Sequence, residues 1–208
     1  MILALEFSST RRSVALASDG VLLAEAVEET GGRGTGAFGL IEKTLATGKT
    51  PREAIEIIAV GLGPGSYTGI RAAIAVAQGW QLAGGTRLLG VSSIESLACQ
   101  ARTEKIWGKV NLAVDAQRDE FYLAVWEISA TECVEISPLK IVPAAEIAAR
   151  KAAGEICLGP DLERIMFPSA AAVAVLAAGR VDFVPGEKLE PVYLRETSFV
   201  KAPASRTM

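Results

Sequence analysis

Residues 61–71, GLGPGSYTGIR, combine the residue types of an anion cradle with the start of a helix. Gly61, Gly63 and Gly65 permit backbone angles and close approaches that a β-carbon forbids. Pro64 fixes its own φ, and Ser66 or Thr68 supplies a side-chain oxygen to cap the helix that follows through Gly69 and Arg71. Free N–H groups and the positive end of a helix dipole at one spot favour an anion. The same turn reads equally as a tight strand-to-helix connection with no ligand. No Lys follows the last glycine as in a P-loop, and the G-x-G-x-x-G spacing of a dinucleotide fingerprint is missing. Two further turns carry acids. Glu6-Phe7-Ser8-Ser9-Thr10 and Asp115-Ala116-Gln117-Arg118-Asp119-Glu120 both follow apolar runs. Glu6 and Asp115, with Ser8, are of the chemistry that would hold a magnesium nucleotide. Neither turn has a glycine, and a β-carbon at each position blocks the close backbone approach of a phosphate. Strand-end acids engaged in local hydrogen bonds are the plainer reading.

What the chain lacks is as informative. It has no histidine, which removes Ser-His-Asp and Cys-His catalysis and every histidine-containing zinc site. Cys99, Cys133 and Cys157 are scattered and form no C-x-x-C pair, so no metal is expected and all three read as reduced, buried residues of a cytoplasmic protein. A net charge of −3 offers no basic surface for direct nucleic-acid binding. MILALEFSST lacks the features of a signal peptide, and the most apolar stretch, near 61–85, is broken by Ser66, Thr68, Arg71, Gln78 and Gln81, so no membrane span is expected.

The elements that must position these turns follow from periodicity. Residues 2–7 read as a buried strand, SVALASDG as a second, and 21–29 as a third across an Asp19-Gly20 hairpin turn. Helical spacing of Ala37, Leu40, Ile41 and Leu45 predicts a helix over 37–46. Thr50-Pro51-Arg52-Glu53 has the form of a capping box opening a short helix. Residues 57–61 form a strand into the glycine turn, 86–91 another, and Ser92-Ser93-Ile94-Glu95 caps a helix to about Arg102. The order then restarts: strands at 110–115, 121–128 and 133–142, and a helix from 143 to about 153. Two lobes, each a three-stranded meander followed by helices, imply a duplicated α/β fold of the actin-like ATPase (ribonuclease H-like) architecture. The expected division is an N-terminal lobe over 1–105 and a smaller C-terminal lobe over 106–208.

The helix after the glycine turn is apolar all round. At 100° per residue Ile70, Ala73, Ile74, Ala77 and Trp80 share one face, while Ala72, Ala75, Val76, Gly79 and Ala83 share the other. Ala72, Val76, Gly79 and Ala83 are spaced 4, 3 and 4 apart, the spacing of a close helix–helix seam. The 37–46 helix covers part of that seam. Either a partner's helices cover the rest or the chain's own elements do.

GLGPGSYTGIR resembles the hallmark motif of the TsaB (YeaZ) family, members of the machinery that makes threonylcarbamoyladenosine (t6A) in tRNA. ILALEFSSTRRSVAL, AVDAQRDEFYLAVW and PVYLR (191–195) resemble three further family segments in the right order, so the similarity spans nearly the whole chain. The resemblance implies a two-lobed actin-like fold without its ATP site, no catalytic residues, and no cofactor. It also implies a non-catalytic, cytoplasmic subunit that binds and activates the catalytic paralogue TsaD, with the TsaE ATPase in the larger complex. Self-association as a homodimer through the same surface is implied as well, and tRNA contact only through the complex. On that reading the interface comprises Ala37, Leu40, Ile41, Leu45, Ala72, Ala75, Val76, Gly79 and Ala83. Glu6-Phe7-Ser8 departs from the family's Asp-Thr-Ser, and Gly31–Gly36 replaces a segment that commonly carries a histidine. TsaD carries metal-binding histidines, so a chain without histidine is not that subunit. The alternatives are an actin-fold phosphotransferase using Glu6 and Asp115, and a glycoprotease-like peptidase, which would need a ligand set or triad the chain does not have.

Overall fold

The computed structural model describes residues 1–29 and 36–194. A first sheet, in the order β3-β2-β1-β4-β5, is built from β1 (Ile2–Glu6), β2 (Arg11–Ser18), β3 (Val21–Glu29), β4 (Ile57–Gly61) and β5 (Arg87–Val91). β1, β2 and β3 form the antiparallel meander, and β4 and β5 add in parallel. Asp19 and Gly20, both at positive φ (49° and 77°), close the β2–β3 hairpin as its two-residue turn requires. The second sheet, β8-β7-β6-β9, repeats the meander with β6 (Gly108–Gln117), β7 (Glu120–Ile128) and β8 (Cys133–Pro143); the short β9 (Ile156–Leu158) pairs in parallel with β6. This is the actin-like, two-sheet arrangement.

Helices α1 (Gly36–Thr47) and α2 (Tyr67–Gly84) cover one face of the first sheet. Leu40, Ile41 and Leu45 of α1 and Ile70, Ala73, Ile74 and Ala77 of α2 share a core with Leu3, Leu5, Val14, Leu16, Ile58 and Val60. Burying each of the larger aliphatic side chains contributes about 1.5–3 kcal/mol. The alternation along β2 sends Val14 and Leu16 to that core and Ala15 and Ala17 to the opposite face.

The opposite face is covered from far along the chain. α5 (Ala170–Ala177) packs Ala170, Val173, Ala174 and Ala177 against Ile2, Ala4, Ala15, Ala59 and Leu89. In exchange, α3 (Ser93–Thr103), which follows the first sheet in sequence, packs Ile94, Leu97, Ala98 and Ala101 on Val110, Leu112 and Val114 of the second. The two helices are stitched where they cross: Ser96 Oγ donates to the Ser169 carbonyl at 3.2 Å and accepts from the Ser169 N–H at 3.0 Å. A division at residue 105 separates the strands of the two sheets but cuts across the packing of both helices. α4 (Ala144–Ala152) lies on the second sheet through Ile147.

The Ser92 capping box forms, with Ser92 Oγ accepting from Ile94 N and Glu95 Oε2 from Ser92 N. The one expected at Thr50 does not. Residues 52–54 make a single 3₁₀ turn with Pro51 at its N-cap and no side-chain cap, because the Thr50 hydroxyl turns back to the Gly48 carbonyl at 3.0 Å.

Candidate partner interface beside a closed glycine turn

The glycines of the 61–71 motif are spoken for by the chain itself. A β-carbon at Gly61 would stand 2.1 Å from Glu6 Oε2, one at Gly65 2.1 Å from the Ser8 carbonyl oxygen, and one at Gly69 2.0 Å from the Phe7 carbonyl oxygen. All three make room for the β1–β2 turn. Three of the donors an anion could use are taken as well. The Ser66 N–H bonds to the Ser8 carbonyl at 2.6 Å, the Gly63 N–H to Ser93 Oγ at 3.1 Å, and the Gly69 N–H to Ser66 Oγ at 3.3 Å. Ser66 thereby caps α2, and Gly85, at φ 71°, ends it. Pro64 is buried in the turn, and Thr68 is exposed in the first turn of the helix.

Glu6 sits under this turn, fully buried. Its carboxylate accepts from the Ser8 N–H and from Ser93 Oγ, each at 2.8 Å. Burial pushes the carboxyl above its ordinary pKa, against the opposing pull of those hydrogen bonds. Glu6 therefore ties β1 to α3 and to the glycine turn. The Ser8 side chain is buried beside it and also works against the upward shift. Asp115 is spent locally: Oδ1 accepts from the Gln117 N–H at 2.8 Å and Oδ2 from Gln117 Nε2 at 2.9 Å. Gln117, Arg118 and Asp119 all take positive φ, so the β6–β7 turn is closed by three residues that each carry a β-carbon. Among the described residues no group of three or more His, Cys, Asp or Glu side chains is placed to hold a metal ion.

The motif meets the segment around residues 192–193. The Val192 N–H bonds to the Leu62 carbonyl at 2.8 Å, and the Tyr193 ring packs on Tyr67 with centroids 5.5 Å apart. Arg71 donates to the Tyr67 hydroxyl at 2.6 Å and lies over its ring. Arg195 falls outside the described residues, as does most of the Gly31–Gly36 segment.

The two faces of α2 have different fates. The Ile70–Ala73–Ile74–Ala77 face is buried, while Ala75, Gly79 and Ala83 are exposed and Ala72 and Val76 half-buried. Leu82 beside them is 89% exposed, and a β-carbon on Gly79 would meet nothing within 4 Å among the described residues. From Ala72 to Thr86 no residue is charged. A third side of the helix is held by the chain: Gln78 Nε2 donates to the Gly186 carbonyl and Gln81 Oε1 accepts its N–H, both at 2.8 Å.

The nine residues expected at an interface therefore separate by helix. On α2, Ala75, Gly79 and Ala83 line an exposed face, Ala72 is half-buried at its edge, and Val76 packs partly on the lobe's core. Leu40, Ile41 and Leu45 of α1 are buried in the lobe's own core, with Ala37 partly packed against it, so α1 presents a different surface. Its outward apolar residue is Phe38, 67% exposed. Sequence periodicity gave no sign of this, since Phe38 stands only about 20° from Leu45 at 100° per residue and would be read as part of the same stripe.

Known proteins fit this arrangement. A sequence model of the TsaD family, tRNA N6-adenosine threonylcarbamoyltransferase, matches residues 37–178. The chain belongs to this family. Within it the similarity runs to the TsaB (YeaZ) members. The Escherichia coli K12 protein named tRNA threonylcarbamoyladenosine biosynthesis protein TsaB is 31% identical over 141 residues, covering 64% of this chain and 61% of that relative's length. Two Pseudomonas aeruginosa structures superpose over 93% of this chain and 99% of their own. One is YeaZ (26% identity, TM-score 0.76), the other an uncharacterised protein described as similar to peptidase YeaZ (29%, TM-score 0.78). The α1–α2 surface and the crossing helices all lie inside the span the family model covers, whereas the glycine-free β1–β2 turn precedes it.

Proposed function

We propose that this chain is a non-catalytic subunit of the t6A-forming machinery, which docks the outer face of α2, flanked by Phe38 of α1, onto a catalytic TsaD paralogue and activates it. The observation that carries this reading is the exposed strip Ala75–Gly79–Ala83, edged by the half-buried Ala72 and Val76: uncharged, small in side chain, and bordered by the exposed Leu82. Small residues let two helix backbones approach closely, and an uncharged exposed face on an otherwise amphipathic fold marks an interaction surface. Membership of the family supports t6A biosynthesis as the setting, with TsaE joining the larger assembly and tRNA reached through it. A second copy of the chain competes for the same face when the paralogue is absent. A cytoplasmic site of action accords with t6A chemistry, and among the described residues no helix is long and apolar enough to cross a membrane.

The state of Glu6 supports a non-catalytic role. A carboxylate already holding two hydrogen bonds under a filled glycine turn is poorly placed to receive a magnesium nucleotide. The peptidase description attached to one relative has no counterpart in a chain without histidine.

The test is co-expression with the TsaD of the same organism followed by size-exclusion chromatography. The wild-type chain co-elutes with TsaD. Gly79→Arg, at a helix position open to solvent, keeps the circular dichroism and melting temperature of the parent but elutes alone. Co-elution of a folded Gly79→Arg variant at wild-type strength would overturn the assignment of this face.

A further inference from the structure

On the face of the first sheet away from α1 and α2, the ends of α3 and β2 meet the start of α5 around a cavity of about 410 Å³. Its lining includes none of Glu6, Ser8 or Asp115, and none of the α2 face. The charged groups around it are Arg11 at the start of β2, Arg102 in the last turn of α3, and Glu25 on β3. The lining itself carries two guanidinium groups to one carboxylate, with Glu29 across the strand pair from Arg11.

Neither guanidinium has an ion-pair partner among the described residues. Arg11 is steadied from below by the Phe167 ring, 5.8 Å from its guanidinium carbon. Arg102 is held by a long bond of 3.4 Å from Nη1 to the Thr131 carbonyl. Glu25 is turned to α5, where Oε1 accepts from the Ala171 N–H at 3.4 Å; burial raises its pKa, with that N–H and Arg11 opposing. The one acid of the cavity is thus occupied with a helix end rather than paired to either arginine. Leu22, Val27 and Val175 supply an apolar wall.

We propose that this cavity binds a small organic oxyanion, a carboxylate or phosphate ester with a short apolar body, with Arg11 and Arg102 taking the head group and the Leu22–Val27–Val175 wall taking the body. Charge complementarity chooses the ligand class. Guanidinium forks match carboxylate and phosphate oxygens in planar, charge-assisted pairs, and both forks here keep donors unspent on acids. The volume lies in the range of small-molecule pockets, with few polar groups set in an apolar lining.

The test uses the full-length chain, labelled with nitrogen-15, titrated with hexanoate, hexyl phosphate and, as a neutral control of the same body, hexanol. Hexanoate, hexyl phosphate or both shift the amides of Val27, Thr103, Ala171 and Ala172, and hexanol binds at least about tenfold more weakly, as expected when charge-assisted hydrogen bonds carry the head group. The stronger of the two anions identifies the source class. Arg102→Gln and Arg11→Gln each weaken the binding anion at least about fivefold, while Arg102→Lys, which keeps the charge, loses less. Equal binding of hexanol, shifts centred elsewhere, or full affinity in a folded Arg102→Gln protein would each overturn the proposal; if Arg102→Gln does not fold, the hexanol comparison decides alone.

Discussion

One substitution made at two places in α2 separates the two roles its glycines play. Gly79 is exposed in the helix interior, and among the described residues a β-carbon there meets nothing within 4 Å. Alanine removes the entropic cost of glycine in a helix, so Gly79→Ala is expected to stabilise the chain by about 0.5–1 kcal/mol. Gly69 lies in the first turn of the same helix, where a β-carbon would sit 2.0 Å from the Phe7 carbonyl oxygen. A carbon–oxygen contact needs about 3.3 Å or more, so helix and β1–β2 turn must part by roughly 1.3 Å. That turn is anchored by the Ser66–Ser8 bond and the buried Glu6, and it cannot yield freely. Overpacking of this kind costs about 1–3 kcal/mol beyond the helix-propensity gain. At about 2–4 °C per kcal/mol for a chain of this size, Gly69→Ala melts about 2–12 °C lower than wild type and Gly79→Ala about 1–4 °C higher. Thermal melts followed by far-ultraviolet circular dichroism measure both. A Gly69→Ala protein as stable as wild type would refute the packing account of the motif, and a destabilised Gly79→Ala protein would refute the openness of the outer face.

The remaining predictions concern the groups around the motif. The raised pKa of Glu6 means the folded protein holds its proton to higher pH than the unfolded chain, whose reference value is 4.5. Stability from this group is therefore greatest below that value and falls as pH climbs toward the folded pKa. Glu6→Gln removes the dependence, so urea unfolding at stepped pH should show the wild-type-minus-variant difference shrinking as pH rises; a constant difference would count against it. The Tyr67–Tyr193 contact predicts a coupling of about 0.5–1.5 kcal/mol in a double-mutant cycle of the two alanine variants, and additive losses would show the rings to be mere neighbours. Gln81→Ala leaves the Gly186 N–H without its acceptor and should cost about 1 kcal/mol, with faster proteolysis near residues 185–189 as the local readout.

Much of the fold could be read from residue order. The Asp19-Gly20 hairpin, the Ser92 capping box and the two faces of α2 each follow from a local rule that tertiary packing did not override. α1 lies beyond such rules: Leu40, Ile41 and Leu45 turn to the nearest core, while Phe38, close to Leu45 on the helix wheel, is left facing outward. Thr50 shows the same limit at smaller scale, since its hydroxyl had two backbone groups in reach and bonded the one behind it. The crossing of α5 to the first sheet was not legible at all. AAAVAVLA is apolar on every side, so periodicity gives it no direction, and nothing local reports which of two sheets lacks cover. The cavity shares that history, because its walls come from segments more than 60 residues apart that meet only after the helices have crossed.

That crossing sets a timetable for synthesis. The strands of the first sheet have all emerged from the ribosome by Val91, yet the helix that seals their second face is not complete until Ala177. All of the second sheet is made before that helix, so the row Ile2, Ala4, Ala15, Ala59 and Leu89 precedes its cover by the whole of that sheet, and α3 likewise precedes the strands it packs on. A chain ended before residue 170 is expected to leave that row without its helix and so to expose more apolar surface than the full chain.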